Sequence, residues 1–137
     1  MRDAVVITVP SHPKYLSVVR GVTAKVGQIF EMDEQLVEDI KLAVDEACSN
    51  VIRHAYKGDT SKRIVLKYKI DKNRFQVIIE DWGIRADIDS IKGRSLDDVR
   101  PGGLGVHLIK RVFDTVMFDE KKKNGNKLIL VKEMSRQ

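Results

Sequence analysis

A cluster of three glycines in the last third of the chain has the spacing of a helix start that can bind an anion. Gly102, Gly103 and Gly105 lie directly before a segment whose apolar residues recur at helical intervals. Glycine lets backbone amides approach an anion closely, and the unsatisfied amides of a first helical turn add partial positive charge. The cluster therefore suits a phosphate group, and a plain helix-entry turn is the alternative interpretation.

Four polar residues in the first half of the chain share one edge of a predicted helix. They are separated by seven, four and three residues, and are Asp39, Glu46, Asn50 and Arg53. At about 100° per residue, this spacing places them beside the apolar stripe of the helix rather than inside it. This polar edge is a second candidate site, and an ordinary solvated helix surface is the alternative.

A third candidate lies where a predicted strand ends. The strand over residues 75–80 runs directly into Asp81-Trp82-Gly83, so that a carboxylate and a glycine follow it at once. Binding residues are often placed at such ends, where a rigid scaffold positions an irregular segment. A simple turn aspartate is the alternative interpretation of Asp81.

The histidines and the single cysteine do not form a comparable cluster. His12 lies in a predicted turn, and His54 and His107 lie in separate predicted helices without the spacing of metal ligands. We therefore expect no zinc site. Cys48 lies in a helical pattern and has no cysteine to pair with, so we expect a buried thiol and a reducing compartment.

Two helices are predicted to carry the first half of the chain. A short β-branched run over residues 4–9 predicts a strand, and apolar residues at intervals of three and four predict a helix over 14–31. Asp33 can cap a second helix, which runs to about Ala55. The turn residues 57–60 then break that helix.

The second half predicts a hairpin, an irregular segment, a helix and a last strand. Alternating residues indicate a strand over 64–70 and a returning strand over 75–80. Residues 86–100 are irregular and charged, which predicts a mobile loop before the glycines. The following helix is predicted to extend as far as Val116, and a final strand covers residues 127–133.

Length and composition are those of one globular domain spanning residues 1–137. The chain is 42% hydrophobic and 33% charged, and no window approaches the roughly 18 apolar residues of a membrane span. Its net charge of +5 comes from scattered lysines and arginines, which favours a solvated surface over direct nucleic-acid binding. We expect a cytoplasmic protein that uses neither a membrane nor a nucleic acid.

Three ordered motifs resemble those of one family. Residues 44–56, with the sequence VDEACSNVIRHAY, closely resemble the N box of the anti-sigma factor serine/threonine-protein kinases, which have the gyrase and histidine-kinase type of ATPase fold. Asp81-Trp82-Gly83 resembles the family's first glycine box, and residues 101–105 resemble the second. The resemblance implies a histidine-kinase-like α+β two-layer sandwich, in which three helices cover one face of a mixed sheet of four or five strands.

The resemblance also implies a role for each matching residue. Asn50 would be the Mg²⁺ ligand, Glu46 the general base, and Asp81 the acceptor for the exocyclic amine of adenine, with Gly83 leaving room for the ring. The other residues implied in the ATP or ADP site are Arg53, Gly102, Gly103, Leu104, Gly105 and Val106. Arg94 or Arg100 in the charged loop would add positive charge, with a plain surface position as the alternative.

The chain departs from the wider superfamily at two positions. Arg85 stands where many relatives have a second glycine, and Gly125-Asn126-Lys127 occupies the region where a Gly-Thr pair is often seen near adenine. The missing threonine removes one expected polar contact to the base. This departure therefore bears on nucleotide affinity rather than on the fold.

The function implied by the resemblance is that of an anti-sigma factor with ATP-dependent serine/threonine kinase activity. Its partners would be a small anti-sigma-factor antagonist as phosphorylation substrate, an RNA polymerase sigma factor, and a second copy of the chain, paired through the first helix and the neighbouring sheet edge. The alternative is a non-catalytic binding module that holds nucleotide only to shape a protein-binding surface. Direct nucleic-acid binding through the basic surface is a third hypothesis.

Overall fold

The computed structural model describes residues 3–71, 73–86 and 103–134, with the backbone alone for residues 103–105. In chain order the elements are β1 (Asp3–Pro10), α1 (Leu16–Ile29), α2 (Glu34–Asn50), β2 (Arg63–Ile70), β3 (Arg74–Asp81), α3 (Gly103–Val112), β4 (Thr115–Phe118) and β5 (Asn126–Glu133). A 3-10 turn, Pro13–Tyr15, precedes α1, and a π-helical turn, Val51–Ala55, extends α2.

The five strands form one sheet in the order β1-β2-β3-β5-β4. Every strand pair among the described residues is antiparallel, so the sheet is not the mixed sheet that the sequence predicts. The register of β3 and β5 pairs Ile79 with Leu128 and Asp81 with Asn126. Because alternate residues share a face, Asp81 and Asn126 stand on the same side of the sheet as the buried Ile79 and Leu128.

The helices bury the stripe that their spacing predicts. Asp33 caps α2 through a hydrogen bond from the Leu36 amide to its carboxylate, at 2.8 Å. Behind this cap, the apolar side of α2 is buried at Val37, Ile40, Ala43, Val44, Ala47 and Cys48. Burial raises the pKa of the Cys48 thiol to about 12, which keeps the thiol protonated, as expected of a buried structural cysteine.

The core lies between the helices and the covered face of the sheet. Tyr68, Phe75 and Leu130 from three adjacent strands are fully buried there together with helix residues such as Ile40. A buried polar contact between α1 and the sheet joins the hydroxyls of Thr23 and Tyr68 at 2.7 Å. No helix among the described residues combines the length and apolar character needed to cross a bilayer.

One predicted helix boundary is wrong. The sequence extends the last helix to Val116, whereas α3 ends at Val112 and residues 115–118 form the edge strand β4. The amide of Asp114 donates to the carbonyl of Val131 at 2.8 Å, which begins the pairing with β5. Short apolar runs fit both periodicities, so the long-range pairing decided this segment.

Candidate functional site

Asp81 ends β3 with its carboxylate turned into the protein. Its relative exposure is 1%, and Oδ1 accepts a hydrogen bond from the Gly83 amide at 2.9 Å. Gly83 itself packs against the end of the α2 helical run, because a Cβ atom there would lie 2.3 Å from the carbonyl oxygen of Ala55. The next amide, that of Ile84, donates to this same carbonyl at 2.8 Å. The strand end is thus fixed to the helix end.

Asn126 is the cross-strand partner of Asp81. Its Nδ2 donates to both carboxylate oxygens, at 3.0 Å to Oδ1 and 3.2 Å to Oδ2. Gly125 makes this approach possible, because its φ is +84° and a Cβ atom would lie 2.1 Å from the Asp81 carbonyl oxygen. The glycine is therefore required both by backbone conformation and by space.

The protonation of Asp81 reflects two opposing effects. Burial raises the pKa of Asp81 above its usual value, because a desolvated carboxylate is costly. Hydrogen bonds from Gly83 and Asn126 and the charge of Lys122 oppose that rise in pKa. The buried carboxylate is therefore stabilised as an ion by donors aimed at it, which suits it to accept a further hydrogen bond from a ligand.

Tyr56 connects the helix end to the strands. Its hydroxyl donates to the carbonyl of Arg63 at 2.5 Å and accepts a hydrogen bond from the Trp82 amide at 3.0 Å. Burial is the main cause that raises the pKa of Tyr56, so the phenol stays protonated. The indole of Trp82 is 40% exposed and contacts two cations, since the Arg63 guanidinium and the Lys122 ammonium are each 4.3 Å from the ring centroid.

Three of the four polar-edge residues meet at one nitrogen atom. Arg53 Nη2 lies 2.9 Å from Glu46 Oε1 and 2.9 Å from Asn50 Oδ1. Asp39 is not part of this group. Its Oδ1 accepts a hydrogen bond from the side-chain amide nitrogen of Gln35, Nε2, at 2.9 Å. A carboxylate oxygen and an amide oxygen thus already converge on one positive group, a donor set that suits a hard cation such as Mg²⁺.

His54 follows Arg53 directly in the chain. Burial lowers the pKa of His54, and the charges of Arg53 and Lys57 add to this effect. Within residues 3–71, 73–86 and 103–134, no group of three or more histidine, cysteine or acidic side chains is arranged to hold a metal ion.

The glycine cluster is only partly described. Gly102, Arg94 and Arg100 lie outside the described residues. The helix α3 begins at Gly103, so Gly103, Leu104 and Gly105 belong to its first turn rather than to a loop before it. Val106 follows as a half-buried residue of the same helix, which packs against α2.

Both departures from the superfamily have a structural role. The Arg85 guanidinium donates to the carbonyls of Glu120 and Lys122, which ties the segment after β3 to the turn between β4 and β5. In the other region, Asn126 supplies a polar side chain next to Asp81 where the sequence indicated a lost contact. Sequence reasoning missed Asn126 and Tyr56 as members of the site, although a glycine followed by a polar residue at a strand start was a usable signal for Asn126.

Comparison with known proteins agrees with this architecture. The profile of the histidine kinase-like ATPase domain matches residues 9–132. The serine-protein kinase RsbW of Bacillus subtilis (strain 168) is 32% identical over 126 residues, covering 83% of this chain and 76% of that protein. The serine-protein kinase RsbW of Listeria innocua serovar 6a is 31% identical over 128 residues, covering 85% of this chain and 79% of that protein.

A solved structure shares the fold. The crystal structure of the RsbU and RsbW domains of a Mycobacterium tuberculosis protein superposes with a TM-score of 0.68 at 16% identity. The match covers 98% of this chain but only 32% of that longer chain, so it bears on the fold alone. The sheet order, the site at the end of β3 and the sequence matches lead to one conclusion. The chain belongs to the histidine kinase-like ATPase domain family, and within it to the serine-protein kinases of the RsbW type.

Proposed function

We propose that this protein is an anti-sigma factor with ATP-dependent serine/threonine kinase activity. It phosphorylates a small anti-sigma-factor antagonist and reversibly binds an RNA polymerase sigma factor. The observation that carries the proposal is the convergence of Glu46 and Asn50 on one cationic group, on the helical run whose end packs against Gly83. Its relatives are named serine-protein kinases, and this arrangement gives such an activity the acidic and amide oxygens that it needs.

Asp81 recognises the adenine ring. Its ionised carboxylate accepts a hydrogen bond from the exocyclic amine. Gly83 contributes by packing against the Ala55 carbonyl, which holds the strand end beside the base in place. Donors from Gly83 and Asn126 hold the carboxylate in place before the nucleotide arrives. The base therefore binds to a site that needs little rearrangement.

Asn50 is the residue that would hold Mg²⁺, through its side-chain oxygen Oδ1. When bound, the ion would supply positive charge that offsets the charge developing on the ATP phosphates. The Arg53 guanidinium lies between the Asn50 and Glu46 oxygens and acts as a stand-in cation, so we propose that it leaves Asn50 Oδ1 and pairs with phosphate oxygens once nucleotide binds. Arg53 is in this way a nucleotide-binding residue.

Glu46 acts as the general base for transfer. It accepts the proton of the antagonist's serine or threonine hydroxyl, whose oxygen forms a bond to the γ-phosphorus as the bond from that phosphorus to the bridging oxygen of ADP breaks. Backbone amides of Gly103, Leu104, Gly105 and Val106 at the start of α3 contact the phosphates. The resemblance assigns the same role to Gly102, which lies outside the described residues. Most of the rate enhancement then comes from positioning and charge neutralisation.

The partners follow from the same assignment. Sigma-factor binding and antagonist phosphorylation both occur in the cytoplasm, and a homodimer would pair α1 and the free edge of β1 with those of a second copy. The structure supplies an edge strand for this purpose, since β1 pairs only with β2 among the described strands. Protein contacts rather than DNA contacts carry the regulation.

Two measurements test the proposal together. Calorimetric titration with ATP and Mg²⁺ should show binding to the wild type and a loss of affinity in Asp81→Asn and Asn50→Ala. Transfer of labelled γ-phosphate to the source organism's anti-sigma-factor antagonist should then depend on Glu46. A wild type that binds no ATP under any condition contradicts the kinase assignment, and a wild type that binds ATP without transferring phosphate favours a nucleotide-dependent binding module.

A further inference from the structure

Asn126 is a buried polar side chain that no step of the proposed phosphate transfer uses. The described residues contain four buried polar or charged side chains, namely Ser11, Thr23, Asp81 and Asn126. Ser11 bonds to the backbone of Asp59 and Lys62, and Thr23 bonds within the core, so both have ordinary structural partners. Asn126 differs because its main partner is the carboxylate assigned to the base.

Both N–H groups and the oxygen of the Asn126 side-chain amide have hydrogen-bond partners. One N–H group is shared between the two oxygens of Asp81, and the other donates to the carbonyl of Ile84 at 2.9 Å. Its Oδ1 accepts from the amide of Ala86 at 2.7 Å. This pattern fixes the orientation of the amide, because a flip would aim its oxygen at a carboxylate and its NH₂ group at an N–H donor.

The contacts leave the two oxygens of Asp81 unequal. Oδ1 accepts from the Gly83 amide at 2.9 Å and from Asn126 at 3.0 Å, whereas the contact of Oδ2 with Asn126 is longer, at 3.2 Å. A carboxylate oxygen has two lone pairs, so Oδ2 keeps more capacity to accept a further donor. Of the two oxygens, Oδ2 has the longer side-chain contact and is therefore the better able to accept from an exocyclic amine.

We infer that Asn126 is a positioning residue for base recognition, which orients Asp81 so that Oδ2 faces the adenine amine. It fills in this chain the polar position left by the missing threonine. The same amide holds Ile84 and Ala86, so it also fixes the turn that follows Gly83 beside the base. The inference rests on the proposed ATP site and adds to it a residue that acts on the base only through Asp81.

The pH dependence of ATP binding can distinguish a positioning role of Asn126 from a merely structural one, because charged and titratable groups surround Asp81. Asn126 and Gly83 donate to the carboxylate, Lys122 lies near it, and Tyr56 is a neutral phenol close by. Loss of the Asn126 donor therefore raises the pKa of Asp81 further, and acid should weaken ATP binding at a higher pH than in the wild type. Reduced packing alone would expose the carboxylate to water and move that midpoint down rather than up.

The experiment is equilibrium dialysis with radiolabelled ATP from pH 5 to 8, on wild type, Asn126→Ala, Asp81→Asn and the double variant. We expect Asn126→Ala to weaken binding roughly tenfold, the scale of a lost hydrogen bond to a charged group, and to move the acid midpoint upward. Adding Asn126→Ala to Asp81→Asn should cost less than about threefold, because the carboxylate is already gone. An Asn126→Ala protein that melts at lower temperature but binds ATP within twofold of wild type at every pH overturns the inference.

Two further variants keep the test decisive if Asn126→Ala does not fold. Asn126→Thr keeps a hydroxyl donor and should stay within about threefold of wild type, whereas Asn126→Asp places a second carboxylate beside Asp81 and should lose more than tenfold. Equal losses in these two variants contradict the positioning role. A wild type that binds no ATP refutes the kinase proposal itself, whereas a binding wild type with an insensitive Asn126 refutes only this inference.

Discussion

The two ends of the proposed nucleotide site are built differently. At the base end, Asp81 is 1% exposed and is held by donors from Gly83 and Asn126. At the phosphate end, Glu46 and Arg53 have side chains that are 27% and 50% exposed, and a single guanidinium nitrogen holds the group together. One end is a buried network with several connections, and the other is an open ion pair.

This difference separates recognition from chemistry. A buried network loses little entropy when the base binds, because its geometry already exists. An exposed ion pair contributes little to stability, so it can exchange Arg53 for a metal ion and phosphates at small cost. Substitutions at the base end should therefore disturb folding and binding together, whereas those at the phosphate end should change activity and metal binding in a protein that still folds.

The largest expected effect is at Glu46. Glu46→Gln keeps an oxygen that can pair with Arg53 but removes the proton acceptor, so phosphate transfer to the antagonist should fall by about 10² to 10⁴. ATP affinity by calorimetry and the melting temperature should remain near those of wild type. The matched control is Glu38→Gln on the same helix, which breaks an ion pair with Lys41 at 3.2 Å and should leave transfer unchanged. Normal transfer by Glu46→Gln would remove the general base from the mechanism.

The second effect concerns folding at the base end. Gly125→Ala adds a Cβ atom 2.1 Å from the Asp81 carbonyl oxygen and also imposes a φ of +84° on alanine, so it should lower the free energy of unfolding by about 2–4 kcal/mol. Urea unfolding measures this loss. Gly58→Ala shares the positive φ without a neighbouring atom within 4 Å, and therefore reports the backbone strain alone.

A third glycine completes that comparison. Gly21 lies within α1 with nothing within 4 Å of an added Cβ, so Gly21→Ala should raise the free energy of unfolding by about 0.5–1 kcal/mol. If Gly125→Ala were no worse than Gly58→Ala, the close packing of Gly125 against Asp81 would be wrong.

The third effect is a pair of pH dependences with opposite signs. Because burial raises the pKa of Asp81, ATP affinity should fall as pH drops through that raised value, since a protonated carboxyl no longer accepts from the amine in the same way. The contribution of Asp81 to stability runs the other way. The folded state holds the proton more tightly, so stability declines as pH rises from the usual aspartate range through the raised pKa.

The Asp81→Asn variant checks both signs. Radiolabelled-ATP dialysis and urea unfolding between pH 4 and 8 should each lose their Asp81-dependent component in this variant. An ATP affinity of the wild type that follows the flat profile of Asp81→Asn would contradict the role of an ionised Asp81.

The smallest effect is at Arg53. Arg53→Gln should weaken ADP binding, because a phosphate partner is lost. It also removes a positive charge from Asn50 Oδ1, so at saturating ADP the Mg²⁺ concentration for a half-maximal signal should fall by about two- to fivefold. The sole tryptophan, Trp82, follows Asp81 directly and provides the fluorescence signal for this titration. Arg20→Gln is the control, since it breaks an exposed ion pair with Asp45 at 2.6 Å outside the Glu46 and Asn50 pair. An unchanged Mg²⁺ requirement in Arg53→Gln would show that the guanidinium does not compete with the ion.

The candidate site was only partly predictable from local sequence. The spacing of Glu46, Asn50 and Arg53 predicted one shared helix edge, because residues three, four and seven apart lie on one side of a helix. It could not exclude Asp39, which lies at the same angular position but pairs with Gln35. Asn126 was invisible as a partner of Asp81, because 45 residues separate them and only the β3 to β5 register brings them together.

The sequence by itself determined the family and the principal elements of this protein. Local spacing was sufficient for α1, α2 and the hairpin of β2 and β3, and three ordered motifs were sufficient for the family. Only the tertiary structure decided the antiparallel order of the sheet, the strand at residues 115–118 and the amide network around Asp81. The physical reason is that helical faces and tight turns follow from near neighbours, whereas strand pairing and buried hydrogen bonds depend on residues that the chain brings together only when it folds.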